Sequence, residues 1–186
     1  LSAPADGLYG ANGIYAYSGS VSFPNQSAGS TNYWVDVQFE SSATGGSEPP
    51  PPPPPTSGNS TWIWPAMITP AAAVGDDGQS LNLGLRFRSS ENGFIKSIRF
   101  WKRAGNNGTH IGTLWSNSGT KLAEVTFSNE SASGWQTATF STPVAINANT
   151  TYVASYFCPL GQYSLQSGYF NSATGTGTYN LNPPLS

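Results

Sequence analysis

The chain has 186 residues, room for one or two small domains, with 9% charged residues and a formal net charge of -2. That balance supplies no field for nucleic acid or an anionic membrane, and no apolar run of about 20 residues is present to span a bilayer. With 13% aromatics, 21 glycines and 15 prolines, the sequence reads as a folded, turn-rich chain surfaced by Ser, Thr and Asn rather than as a disordered one.

Apolar residues recur at period two and nowhere at sustained helical spacing, so the elements are strands. Asn12-Gly13 is the first of three Asn-Gly pairs, with Asn92-Gly93 and Asn107-Gly108, that suit tight hairpins. Tyr33, Val35, Val37 and Phe39 form one face of a half-buried strand, and Asp36 and Gln38 face the other way. The composition then breaks over 41–60, where Gly, Ser and Thr flank seven consecutive prolines, Pro49–Pro55. In polyproline II such a run is a rod of roughly 20 Å, expected to act as a spacer. Trp62 and Trp64 follow directly, so Pro49, Pro55, Trp62 and Trp64 are the expected linker contacts, with ordinary strand packing as the other reading.

Asp76-Asp77, in Val74–Gly78, suits either a plain turn or a calcium corner, joined by Asp6 and Asp36 only if the 33–39 strand lies nearby. Leu81, Leu83, Leu85 and Phe87 alternate with Asn82, Gly84, Arg86 and Arg88, and Ala123, Val125 and Phe127 alternate with Glu124 and Thr126. Further strands are predicted near 94–102, 110–116, 135–140, 144–146, 151–158 and 163–170. Many short strands separated by turns predict an all-β, antiparallel, jelly-roll-like sandwich.

A catalytic reading finds little to build on. The chain has one histidine, His110, and one cysteine, Cys158. No paired nucleophile and base stands out, and zinc needs more His and Cys than this. His110 is expected to hydrogen-bond within a turn and Cys158 to pack as a small hydrophobe. The expectation is a protein that is not an enzyme and has no cofactor, calcium at Asp76 and Asp77 being the exception considered. Tryptophan and tyrosine rings also stack on sugars, so Trp101, Trp115 and Tyr163 are the candidate glycan contacts, against a core reading for Trp101, Trp115 and Trp135. The low charge and the Ser, Thr and Asn surface point to an extracellular or cell-surface setting; the five Asn-x-Ser/Thr sites, at Asn25, Asn59, Asn107, Asn129 and Asn149, matter only where the source glycosylates asparagine.

The organisation is a broken circle. Residues 60–186 hold most strands without a closing one; residues 1–41 end in the best closing strand; Leu185-Ser186 repeats Leu1-Ser2. The expected segments are therefore 1–41, a linker at 42–59, and 60–186, with 1–41 completing the sandwich of a neighbouring repeat or chain. Read as 60–186 followed by 1–41, the sequence resembles the Domain of Unknown Function 4082 family. The resemblance rests on Leu83–Phe87, Gly93–Lys102, Asn107–Trp115, Gly134-Trp135, Thr142–Val144 and Thr150–Tyr156, and for the closing portion on Ala5–Tyr15, Phe23-Pro24 and Asn32–Val37. It implies a β-sandwich module of secreted bacterial proteins, some carrying polysaccharide-degrading domains, and it brings no established catalytic residues.

Two functions follow as expectations. The first is a structural repeat of an extracellular filament, its partners being copies of itself joined by strand addition through Tyr33, Val35, Val37 and Phe39. The second is a carbohydrate-binding accessory module or an adhesin.

Overall fold

A computed structural model of the chain describes residues 12–41, 60–65, 68–69 and 73–170. They form an antiparallel β-sandwich with no α-helix. Twelve strands are β1 (Gly13–Tyr17), β2 (Gln26–Ser27), β3 (Val35–Ser41), β4 (Ser60–Trp62), β5 (Ala73–Asp76), β6 (Leu81–Phe87), β7 (Gly93–Lys102), β8 (Ile111–Ser116), β9 (Lys121–Thr126), β10 (Gly134–Ile146), β11 (Tyr152–Cys158) and β12 (Gln162–Leu165). One sheet has the order β2-β1-β6-β11-β8-β9, the second β10-β7-β3-β4, and a β12-β5 ribbon flanks them. No helix among the described residues is long and apolar enough to cross a membrane.

The alternating segments put their apolar sides into one core. Val35, Val37 and Phe39 of β3 meet Leu81, Leu83, Leu85 and Phe87 of β6, together with Ile95, Ile98 and Phe100 of β7. Phe100 stacks on Tyr156 of the opposite sheet, with ring centroids 4.2 Å apart. Each such side chain, removed from water, contributes on the order of 1.5–3 kcal/mol.

The polar side of a strand is not always wet. Asn82, opposite the leucine face of β6, is buried because residues 18–25 cross over it. It accepts from Ser22 N and donates to Ser20 O and Ser22 Oγ. Beyond that face Trp115 forms a second small cluster with Ile14 and Val153, against which Val21 and Phe23 pack.

Three local expectations change. Only Gly108 of the three Asn-Gly glycines has a left-handed φ, +96°; Gly13 and Gly93 instead open strands. Both stand where another backbone passes too close for a side chain: a Cβ would lie 1.9 Å from Thr31 O and 2.4 Å from Glu40 O respectively. Residues 135–146 are one strand, not two, its register breaking between Thr139 and Val144, where Pro143 can be accommodated on an edge strand. The Tyr33–Phe39 strand begins only at Val35, because Trp34 adopts φ +56°, with its N–H donated to Asn32 Oδ1 at 2.8 Å.

The closing strand finds a place within its own chain. It was expected to complete a neighbouring sandwich, yet here β3 lies between β7 and β4 of its own chain, pairing Val37 with Ile98 and Phe39 with Ile95. β1 likewise enters the other sheet between β2 and β6. Closure on the same chain is sterically open because β4 runs back along β3: Glu40 faces Ser60, so the two ends of the 42–59 segment lie side by side. Pro49 and Pro55 lie outside the described residues, as does Asp6.

Candidate functional site

The contacts that lock β3 in place are its buried polar ones. Asp36 and Arg99 face each other across β3 and β7, 0% and 5% exposed. Arg99 Nε and Nη2 approach Asp36 Oδ2 at 2.8 and 2.6 Å. Asp36 also accepts from the backbone N–H groups of Val37, Ile63 and Trp64, at 2.7, 2.9 and 3.4 Å. Arg99 donates to Trp64 O, and Trp64 Nε1 donates to Val35 O. The guanidinium is sandwiched between the rings of Trp62 and Trp135, 4.2 Å from each centroid.

Burial pushes the Asp36 carboxyl up to about 6, against the pull of Arg99 and of the Ile63 and Trp64 N–H groups. The carboxylate and the guanidinium are each other's counterion. A closing strand that left would expose an unpaired guanidinium in an aromatic slot.

The second lock is aromatic. Trp34 packs edge-on against Trp64 and Tyr169, at 5.8 and 5.0 Å. Tyr33 packs edge-on against Tyr163 at 5.7 Å. The receiving site thus comprises β6, β7, the Trp62–Trp64 segment, and Tyr163 and Tyr169 near the end of the described chain. The inserted segment brings Ile14, Tyr33, Trp34, Val35, Asp36, Val37 and Phe39.

Of the expected strand-closing residues, Val35, Val37 and Phe39 sit in the core together, while Tyr33 stands off the strand against Tyr163. Trp62 and Trp64 pack on β3 and Arg99. The expected glycan contacts do not make one surface. Trp101 packs edge-on against Trp135 at 5.5 Å on the four-stranded sheet. Trp115 is buried, donating to Ser155 Oγ, and Tyr163 lies on the ribbon against Tyr33. Asp77 Oδ2 accepts from the hydroxyls of Tyr17 and Tyr163, and Asp76 accepts from Gln162 Nε2. Among the described residues no third carboxylate, histidine or cysteine joins Asp76 and Asp77. Asp36 is committed to Arg99.

His110 is wholly buried, its Nδ1 2.9 Å from both Glu130 oxygens and its Nε2 2.9 Å from Asn106 Oδ1. Cys158 is buried beside Asn106, and burial pushes its thiol up to about 11, far from the thiolate that nucleophilic chemistry requires. Sequence reasoning missed the Asp36–Arg99 pair. Its only sequence signal is one acid in the polar register of β3 and one arginine in that of β7, which does not reveal that tryptophans cover that face.

A family model described as a domain of unknown function (DUF4082) matches residues 67–184. Neither the curated proteins nor the solved structures gave a match. The matched span includes β5 to β12 but excludes β1 to β4, so two interior strands of this sandwich come from outside it.

Proposed function

The chain belongs to the DUF4082 family, and for this member we propose a non-enzymatic structural role: a β-sandwich unit of an extracellular bacterial filament whose copies join by exchanging residues 12–41. The observation that carries this reading is the placement of β1 and β3. Each is an interior strand, and each lies outside the family match. Without them, β6 and β7 would each present an unpaired edge and half a core.

The exchanged and closed forms make the same contacts, so their balance is set by the tether and not by the interface. A short flexible tether gives its own segment an effective concentration of about millimolar. Seven consecutive prolines are a poor tether of this kind, because a proline-rich sequence is stiffer than a Gly/Ser one. The stiffness lowers the local advantage, and copies held close along a fibre compete for the slot. A segment that fills its neighbour's slot leaves its own slot open for the next copy, which gives an open-ended chain.

Gln38 and Ser97 are paired across β3 and β7, at a separation suited to a disulfide. In the variant Gln38→Cys, Ser97→Cys, oxidation after refolding at rising concentration should give covalent dimers and longer ladders on a denaturing gel. Oxidation confined to the single chain at every concentration refutes the exchange.

A further inference from the structure

Lys102, Glu130, His110, Asn106 and Cys158 form a connected polar chain at one end of the sandwich. It begins with Lys102 Nζ on Glu130 Oε2 at 2.8 Å. His110 then sits between two acceptors: Glu130 faces Nδ1 and Asn106 Oδ1 faces Nε2. That arrangement requires a proton on both ring nitrogens, the imidazolium form. Yet the site is buried, and desolvation pulls His110 below the usual histidine range despite Glu130. Two further features stand beside this conflict. Asn106 Nδ2 is buried without a hydrogen-bond partner. The Cys158 thiol has two acceptors for its single proton, Asn106 Oδ1 and Gln162 O, both at 3.4 Å.

Turning the Asn106 amide over resolves all three. Nδ2 then donates one proton to a bare Nε2 and one toward Sγ, Nδ1–H donates to Glu130, and the thiol donates to Gln162 O. The oxygen takes the place left by the unpartnered nitrogen, an exchange that favours the fold because buried carbonyls tolerate a missing partner better than buried N–H groups do.

We propose that Asn106 is a proton-linked two-position element: its side-chain amide reverses when His110 takes up a proton, and the Cys158 S–H moves between Gln162 O and Asn106 Oδ1. The groups facing His110 are Glu130 from the β9–β10 loop, Lys102 from β7, Asn106 from the β7–β8 loop, and the rings of Phe100 and Tyr156, at 4.8 and 6.1 Å. No proton leaves the network on reversal; the single gained proton resides on Nε2. The Gln162 side chain reaches Asp76, so the switch lies two residue contacts from the surface.

The chain has one histidine and one cysteine, so each is read without interference in the intact protein. On acidification below pH 6.5, the S–H stretching band of Cys158 should shift with the midpoint of the His110 ring signals, and the Asn106 side-chain amide resonances should move with it. In His110→Gln the band should be independent of pH. In Asn106→Asp, which presents only acceptors, the band should stay in its acid form and His110 should bind its proton at least tenfold more tightly. The proposal is overturned if the wild-type band stays still while His110 titrates. It is equally overturned if His110 takes up no proton before the chain unfolds. Both are wild-type measurements and stand whether or not the variants fold.

Discussion

Replacing Asp36 with alanine tests the lock on β3 directly. The substitution removes the counterion of Arg99 and the acceptor of the Ile63 and Trp64 N–H groups, all within a slot closed by Trp62 and Trp135. Breaking a buried pair from one side costs about 3–5 kcal/mol, because the remaining charge stays desolvated. At about 2–4 °C per kcal/mol for a domain of this size, the melting temperature should fall by about 6–20 °C. Urea unfolding followed by tryptophan fluorescence gives the loss directly, since Trp62, Trp64 and Trp135 all surround the pair. The double variant Asp36→Leu, Arg99→Met should recover much of it, because an apolar pair leaves no orphan charge. A loss below about 1 kcal/mol in the single variant, or additive losses in the double, would refute the view that this pair holds the segment. The pair spans the inserted segment and its slot, so the same loss should appear in assembly if the segment docks on another copy.

Gly93→Ala places a methyl 2.4 Å from Glu40 O and the Phe39 ring; since backbone cannot yield cheaply there, β3 should be displaced, read as faster protease cleavage within 12–41. Trp62→Ala removes one face of the guanidinium stack and should cost about 1–2 kcal/mol in urea unfolding. Cys158 should resist iodoacetamide in the folded protein and react at once after denaturation, because its thiol is buried with a raised pKa. His110 has a lowered folded pKa, so the unfolded chain binds the proton more tightly. Its contribution is present above pH 6.5 and is lost as the pH falls from there toward the folded value. Stability measured from pH 8 to pH 5 should therefore decline more steeply in wild type than in His110→Gln.

Much of the architecture follows from period-two spacing, which reads the strands of β3, β6, β7, β9 and β11 directly. β1 escaped notice because Asn12-Gly13 looks like a turn; the reason for Gly13 is the Thr31 carbonyl against its Cα, a contact made at long range. The predicted 163–170 strand is cut to Gln162–Leu165, beyond which Tyr169 turns inward to the Trp34 and Trp64 rings. The candidate site was half legible: Val35, Val37 and Phe39 were recognisable as a buried face, and Asp36 was not recognisable as buried.

By itself the sequence determined the fold class, the low charge, and the buried face of the strand that holds Val35, Val37 and Phe39. Only the tertiary structure decided which side of each sheet is dry, and that β3 here fills the slot of its own chain. Alternation states that Asp36 and Val37 point in opposite directions, but whether either direction meets water depends on the segments that cross it. For Asp36 those are Trp62–Trp64 from beyond the prolines and Trp135 from β10, residues brought together by pairings of long sequence separation that no local pattern encodes.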